Sequence, residues 1–191
     1  MKLKFSKKEI KDLFIANIML SIAFSILFFR LSINALLIFP LMFLVMIFSF
    51  IIHEMAHKYM AQKYGYHAEF RANKGMLWIT IALSVFGFII AAPGAVHFFG
   101  QEHDIKKIGI IAYAGPFANI IAAIIFFGLT FVTNFGMIYY LYFINAALGV
   151  FNLIPFRQFD GWKVMQWNKA IYIATAVFAL FLWSVPMMIA G

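Results

Sequence analysis

Residues 76–99 read MLWITIALSVFGFIIAAPGAVHFF, and whether they cross a membrane decides the architecture around them. The run is long enough to span a bilayer, which takes about 20 mostly apolar residues. It is also interrupted by Gly87, Pro93 and Gly94 and rich in β-branched and aromatic side chains, so its composition fits a helix or a hairpin. The flanking sequence decides between them. Five other segments, roughly 13–30, 35–58, 108–132, 137–156 and 170–189, are apolar enough to span. Lys and Arg of membrane proteins gather on the cytoplasmic side. If 76–99 stays on one side, fourteen of the fifteen Lys and Arg share a face and Arg30 alone lies opposite. If 76–99 crosses, Lys106, Lys107, Arg157, Lys163 and Lys169 join Arg30, and the bias falls to nine against six. The expected fold class is therefore an α-helical polytopic membrane protein with about five transmembrane helices and a re-entrant or interfacial β-hairpin over 68–99. Six transmembrane helices is the alternative. Non-helical backbone at membrane depth needs protein or a water-filled cavity beside it.

Composition supports that class. The 191 residues are 65% hydrophobic, 19% aromatic and 12% charged, where soluble domains carry about a quarter charged residues. The net charge of +8 comes from Lys and Arg in short polar stretches between apolar ones, the pattern of juxtamembrane anchors in contact with lipid and not of a nucleic-acid surface. With no cysteine in the chain, thiolate metal sites, disulfides and cysteine catalysis are excluded. No linker or repeat divides residues 1–191, which read as one integral-membrane domain with a core over roughly 35–165. The start, MKLKFSKKEIKD, turns apolar at Leu13 without a small-residue cleavage site after the apolar run. It reads as an uncleaved first span of a multi-pass cell-membrane protein whose N-terminus is cytoplasmic.

Working outward from 76–99, the preceding span ends in HEMAH, residues 53–57. On a helix the two histidines at i and i+4 project from one face about one turn apart, so both rings can reach one metal ion. Glu54 follows a long uncharged apolar run, and ionisable groups at such depth are costly and usually functional. Beside the first ligand it can take a proton from an activated water and pass it to a leaving amine. Glu9, Asp12, Glu69, Glu102 and Asp104, in polar or charged stretches, are expected to be solvated surface charge.

A stable site needs a third protein donor. The stretch after His57, KYMAQKYG, lacks the glycine and histidine of the extended HExxHxxGxxH pattern. That leaves Asp160, in NLIPFRQFDGW at 152–162. Depth supports the choice. His53 lies about 27 Å along its helix from Ala35 at ~1.5 Å per residue, near the cytoplasmic face, and in the five-span topology Asp160 emerges at that same face. With six spans about 30 Å of hydrocarbon would separate them. Histidine and carboxylate donors suit zinc, and one Zn2+ per chain is expected.

HExxH in a membrane helix, followed by Asn152, Pro155, Asp160 and Gly161 in the pattern NxxPxxxxDG, resembles the site-2 protease family of intramembrane zinc metalloproteases. The AGPFAN stretch at 114–119 resembles that family's central helix. The resemblance implies cleavage of transmembrane protein substrates within or near their spans, in regulated intramembrane proteolysis. It gives His53, His57 and Asp160 as metal ligands and Glu54 as catalytic base. It implies that Asn152 lies near the substrate or oxyanion; a helix–helix hydrogen bond is the other reading of that residue. A sheet edge near the site would pair with unwound substrate, a role falling on 68–99. The chain reads as a small form of that family, expected to lack the soluble accessory domain of larger relatives, and no feature fixes an oligomeric state. Two rivals are a membrane HExxH protease whose third ligand is a glutamate, Glu69 or Glu102, and a zinc-binding transporter or catalytically silent protein of the same fold.

Overall fold

A computed structural model describes residues 3–89, 93–99 and 104–189. They are mostly helical, with one two-stranded sheet. Helix α1 (Lys7–Phe29) is N-capped by Ser6, whose hydroxyl accepts from the Glu9 N–H at 3.2 Å. Helices α2 (Ile33–Met46) and α3 (Ile52–Lys63) form one long rod, interrupted by a π-helical turn at Ile47–Ile51. Helix α5 (Ile105–Thr130) is capped by Asp104, whose Oδ1 accepts from the Lys106 N–H at 2.8 Å. Helix α6 (Gly136–Asn152), the short α7 (Asp160–Trp167) and the apolar α8 (Lys169–Ile189) complete the chain. Among the described residues, three helices are long and apolar enough to cross a membrane: Lys7–Phe29, Ile33–Lys63 and Ile105–Thr130.

The segment expected to be a hairpin over 68–99 is paired only at its ends. Strands β1 (His67–Ala72) and β2 (Gly94–Phe99) run antiparallel, in register from His67 opposite Phe99 to Ala72 opposite Gly94. Between them lies helix α4 (Lys74–Val85), capped by the Asn73 side chain accepting from the Met76 N–H at 3.1 Å. The physical reason is that Met76–Val85 contains neither Gly nor Pro, and an apolar segment satisfies its backbone most completely as a helix. The break residues all come later. Gly87, at φ 86°, turns the chain back in a left-handed conformation that glycine adopts freely. At 12 residues, α4 is about 18 Å long against a hydrocarbon thickness of about 30 Å. The chain leaves and re-enters side by side, since the Asn73 N–H donates to the Pro93 carbonyl at 2.8 Å.

Burial also corrects the expectation for Glu9 and Asp12, which are not surface charges. Both Glu9 oxygens accept from the Lys58 ammonium, at 2.6 and 2.7 Å, and both side chains are wholly buried. Glu9 Oε1 accepts from the Phe70 N–H at 3.0 Å, Asp12 Oδ2 from the Ala72 N–H at 3.3 Å, and Lys58 donates to the Ala68 carbonyl at 2.8 Å. The outer edge of β1 is thus closed by charged side chains from α1 and α3. An unpaired buried edge would be costly. Around this joint Leu13, Leu20 and Phe24 of α1 pack with Met42, Val45 and Met46 of α2 and with Phe50, Phe70 and Leu77.

Candidate metal centre and active site

His53 and His57 project from α3 toward α5, and the π turn just before them is tied to the same surface. Such a turn adds a residue to the helical repeat and displaces carbonyls from their usual donors. The Ser49 carbonyl accepts from the Ile52 N–H and also from Asn119 Nδ2 at 3.0 Å, and the Phe48 carbonyl accepts from Asn145 Nδ2 at 3.3 Å. Asn119 Nδ2 also donates to Asn145 Oδ1 at 2.8 Å, and Asn145 Nδ2 to Ser49 Oγ at 2.8 Å. These contacts use both donors of Asn119 and turn its Oδ1 to His53 Nδ1, 2.6 Å away. His57 Nδ1 faces the Ile111 carbonyl at 2.7 Å.

With Nδ1 of each ring opposite an acceptor, each Nδ1 carries the proton and each Nε2 presents a lone pair. The two Nε2 atoms lie 2.9 Å apart. Asp160 Oδ2 stands 3.0 Å from His57 Nε2 and 3.4 Å from His53 Nε2. Three lone-pair donors facing one another with no proton between them repel unless a cation sits among them. Tetrahedral bonds of ~2.0–2.1 Å to zinc would hold such atoms about 3.3 Å apart. The residues therefore fit a metal ion, and the outer partners Asn119 and Ile111 are of the kind that fix ligand tautomer and orientation. Close approach of α5 depends on Gly115. A Cβ there would lie 2.3 Å from His57 Nε2 and 2.7 Å from His53 Cε1.

Asp160 reaches the histidines because α6 ends at Asn152, short of the expected 156, and irregular chain over 153–159 delivers it as the first residue of α7. Asp160 Oδ1 faces the Lys163 ammonium at 3.8 Å. Glu54 is buried and lines the same cavity as the three donors, and its Oε2 has no hydrogen-bond partner among the described residues. Asn152 lines that cavity too; its Nδ2 donates to the Leu148 carbonyl of its own helix at 3.0 Å, which is not the cross-helix bond considered from sequence. Gly94, Ala95 and Val96 of β2 form another wall.

His53, Glu54, His57, Asp160 and Asn152 are thus brought to one cavity. Glu69, weighed as an alternative third ligand, is engaged elsewhere, with Arg71 and with His67 Nε2 at 3.5 Å. Glu102 and His103 lie outside the described residues. Sequence reasoning gave Asn119, Asn145, Ser49 and Lys163 no role at the site. The two asparagines carried a signal, since amides inside apolar spans generally have specific partners.

Residues 41–136 match the sequence profile of peptidase family M50. A protein of Methanocaldococcus jannaschii, provisionally named a zinc metalloprotease, is 37% identical over 175 residues, covering 88% of this chain and 89% of its own length. One from Bacillus subtilis, also provisionally so named, is 30% identical over 154 residues, covering 66% of this chain and 68% of its own. A zinc metalloprotease of Methanocaldococcus jannaschii is 27% identical over 152 residues, covering 76% of this chain and 39% of its own length. No solved structure matches the chain. The profile spans the HEMAH and AGPFAN segments, and the first relative aligns along nearly the whole length: the chain belongs to peptidase family M50, the site-2 protease family.

Proposed function

We propose that the protein is an intramembrane zinc metalloprotease that hydrolyses peptide bonds within or near the transmembrane segments of other membrane proteins. The observation that carries this reading is the meeting of the His53, His57 and Asp160 donor atoms in a cavity that also holds the unpartnered carboxylate oxygen of Glu54. The names of the relatives support zinc as the metal. When bound, zinc supplies Lewis-acid activation of water and of the scissile carbonyl.

The chain's own residues divide the remaining work. His53, His57 and Asp160 hold one ion per chain. Asn119 and the Ile111 carbonyl keep both imidazoles in the binding tautomer. Glu54 accepts the proton of the attacking water on its carboxylate and delivers it to the leaving nitrogen, so no covalent acyl-enzyme forms. The β2 segment beside the cavity receives the substrate in extended form, since a helical peptide bond is shielded by its own hydrogen bonds. Asn152 lies where it can donate to the substrate carbonyl or the developing oxyanion. Charge bias supports five spans, a cytoplasmic N-terminus and a site near the cytoplasmic face, where water has a short path to the cavity.

Purified protein and its Glu54→Gln variant, each incubated with a test transmembrane substrate, check the reading. The variant should keep its zinc and lose cleavage by ~100-fold or more, the scale of a general base. Undiminished cleavage by Glu54→Gln would refute the assignment.

A further inference from the structure

The register of the sheet separates its two faces chemically. Ala68, Phe70 and Ala72 pair with Phe98, Val96 and Gly94, and Ala68 and Phe70 are buried in the core. His67, Glu69 and Arg71, opposite Phe99, His97 and Ala95, share the other face. A second cavity borders that face and is lined by Arg71, Lys74 and His97 with Asn73 and Gln158. It shares Gly94, Ala95 and Gln158 with the cavity of the metal donors, and Gln158 stands two residues before Asp160.

The charge of this second cavity is one-sided. Two cations and an imidazole line it, and no carboxylate does among the described residues. Glu69 takes only one end of the Arg71 guanidinium, through Nη2, while Nη1 is buried without a hydrogen-bond partner among the described residues. A buried, unpaired charged N–H is costly, and a carboxylate is the group that meets it best. Lys74 is exposed, at the start of α4.

We propose that this cavity is a subsite for an acidic side chain of the substrate, so that the enzyme prefers an Asp or Glu a few residues from the bond it cuts. The proposal rests on the protease reading. Continuity with the catalytic cavity favours a peptide over a lipid phosphate as the source of the anion. Ala95 borders both cavities and is the register partner of Arg71, so an extended peptide lying along Gly94 and Ala95, advancing ~3.3 Å per residue, brings a side chain near the cleaved bond to Arg71.

The test uses full-length protein in phosphatidylcholine vesicles and transmembrane substrates carrying Asp, Asn or Lys at each of the positions flanking the cleaved bond. Wild type should cleave the best-placed Asp substrate with kcat/KM about 10-fold above its Asn counterpart. In Arg71→Gln/Lys74→Gln that ratio should fall to near one. Lys74→Glu, at an exposed position and independent of any folding role of Arg71, should shift the preference toward Lys. Equal cleavage of Asp and Asn substrates at every position, or an Asp preference that survives in the double variant, overturns the proposal. A lipid arm repeats the measurements with about 30% phosphatidylglycerol. Rates that follow that lipid through Arg71 and Lys74, with no Asp preference, assign the cavity to headgroup phosphate and overturn it also. Binding of the same peptides to Glu54→Gln separates this failure from failure of the protease reading: charge-dependent binding lost in Arg71→Gln/Lys74→Gln scores the subsite even if wild type cleaves nothing.

Discussion

Replacing Gly115 by alanine adds one methyl group and should empty the metal centre. An ideal Cβ on Gly115 falls 2.3 Å from His57 Nε2, 2.6 Å from His57 Cε1 and 2.7 Å from His53 Cε1. Carbon contacts settle at about 3.5–4.0 Å, so helix and rings must part by roughly 1 Å. The rings cannot swing aside without breaking the bonds of His57 to Ile111 at 2.7 Å and of His53 to Asn119 at 2.6 Å. Metal–ligand distances tolerate only about 0.2 Å, and loss of a single outer-shell partner already weakens metal binding ~10–100-fold. We expect zinc affinity to fall by about 100-fold or more in Gly115→Ala, read by chelator competition on purified protein. Gly128→Ala is the matched control, in the same helix with open space around the new carbon. It should bind zinc normally and unfold at the same or a slightly higher temperature, because alanine is the better helix former by about 1 kcal/mol. Wild-type zinc affinity in Gly115→Ala would refute the packing argument, and equal losses in both variants would show a general response of α5.

The buried pair of Glu9 and Lys58 gives a stability test: Lys58→Met strands a buried carboxylate and should cost about 3–5 kcal/mol, visible as a lower unfolding temperature. Glu9→Gln/Lys58→Met should recover much of that loss, and wild-type stability in the single variant would contradict the burial of the pair. Topology can be read by thiol labelling, since the chain has no cysteine of its own. Lys106→Cys should react from the cytoplasmic side and Thr133→Cys from the opposite side; six spans require the reverse.

The meeting of His53, His57 and Asp160 was legible because its signals are local or few. Two histidines four apart share a helix face whatever the tertiary structure, and in a chain with seven acidic residues elimination soon reaches Asp160. The pairing of β1 with β2 was legible through charge bias, which requires residues 72 and 94 to lie on one side. Helix α4 was not, because a run of β-branched and aromatic residues reads equally as strand or buried helix. Nor was the burial of Glu9. Its partners Lys58 and Phe70 are 49 and 61 residues away, and a carboxylate four residues before the first apolar run looks like an interfacial anchor until the fold closes over it. The π turn at Ile47–Ile51 has no residue signature of its own; Asn119 and Asn145, which bind its carbonyls, were the visible trace.

The central claim is that His53, His57 and Asp160 together hold one zinc ion, and zinc per chain in purified detergent-solubilised protein tests it most directly. Wild type should carry one equivalent, while His53→Ala, His57→Ala and Asp160→Ala should each fall to a small fraction of that at the same folded yield, with Glu69→Gln unchanged. A full equivalent of zinc in Asp160→Ala, with loss of metal in Glu69→Gln, would contradict the account.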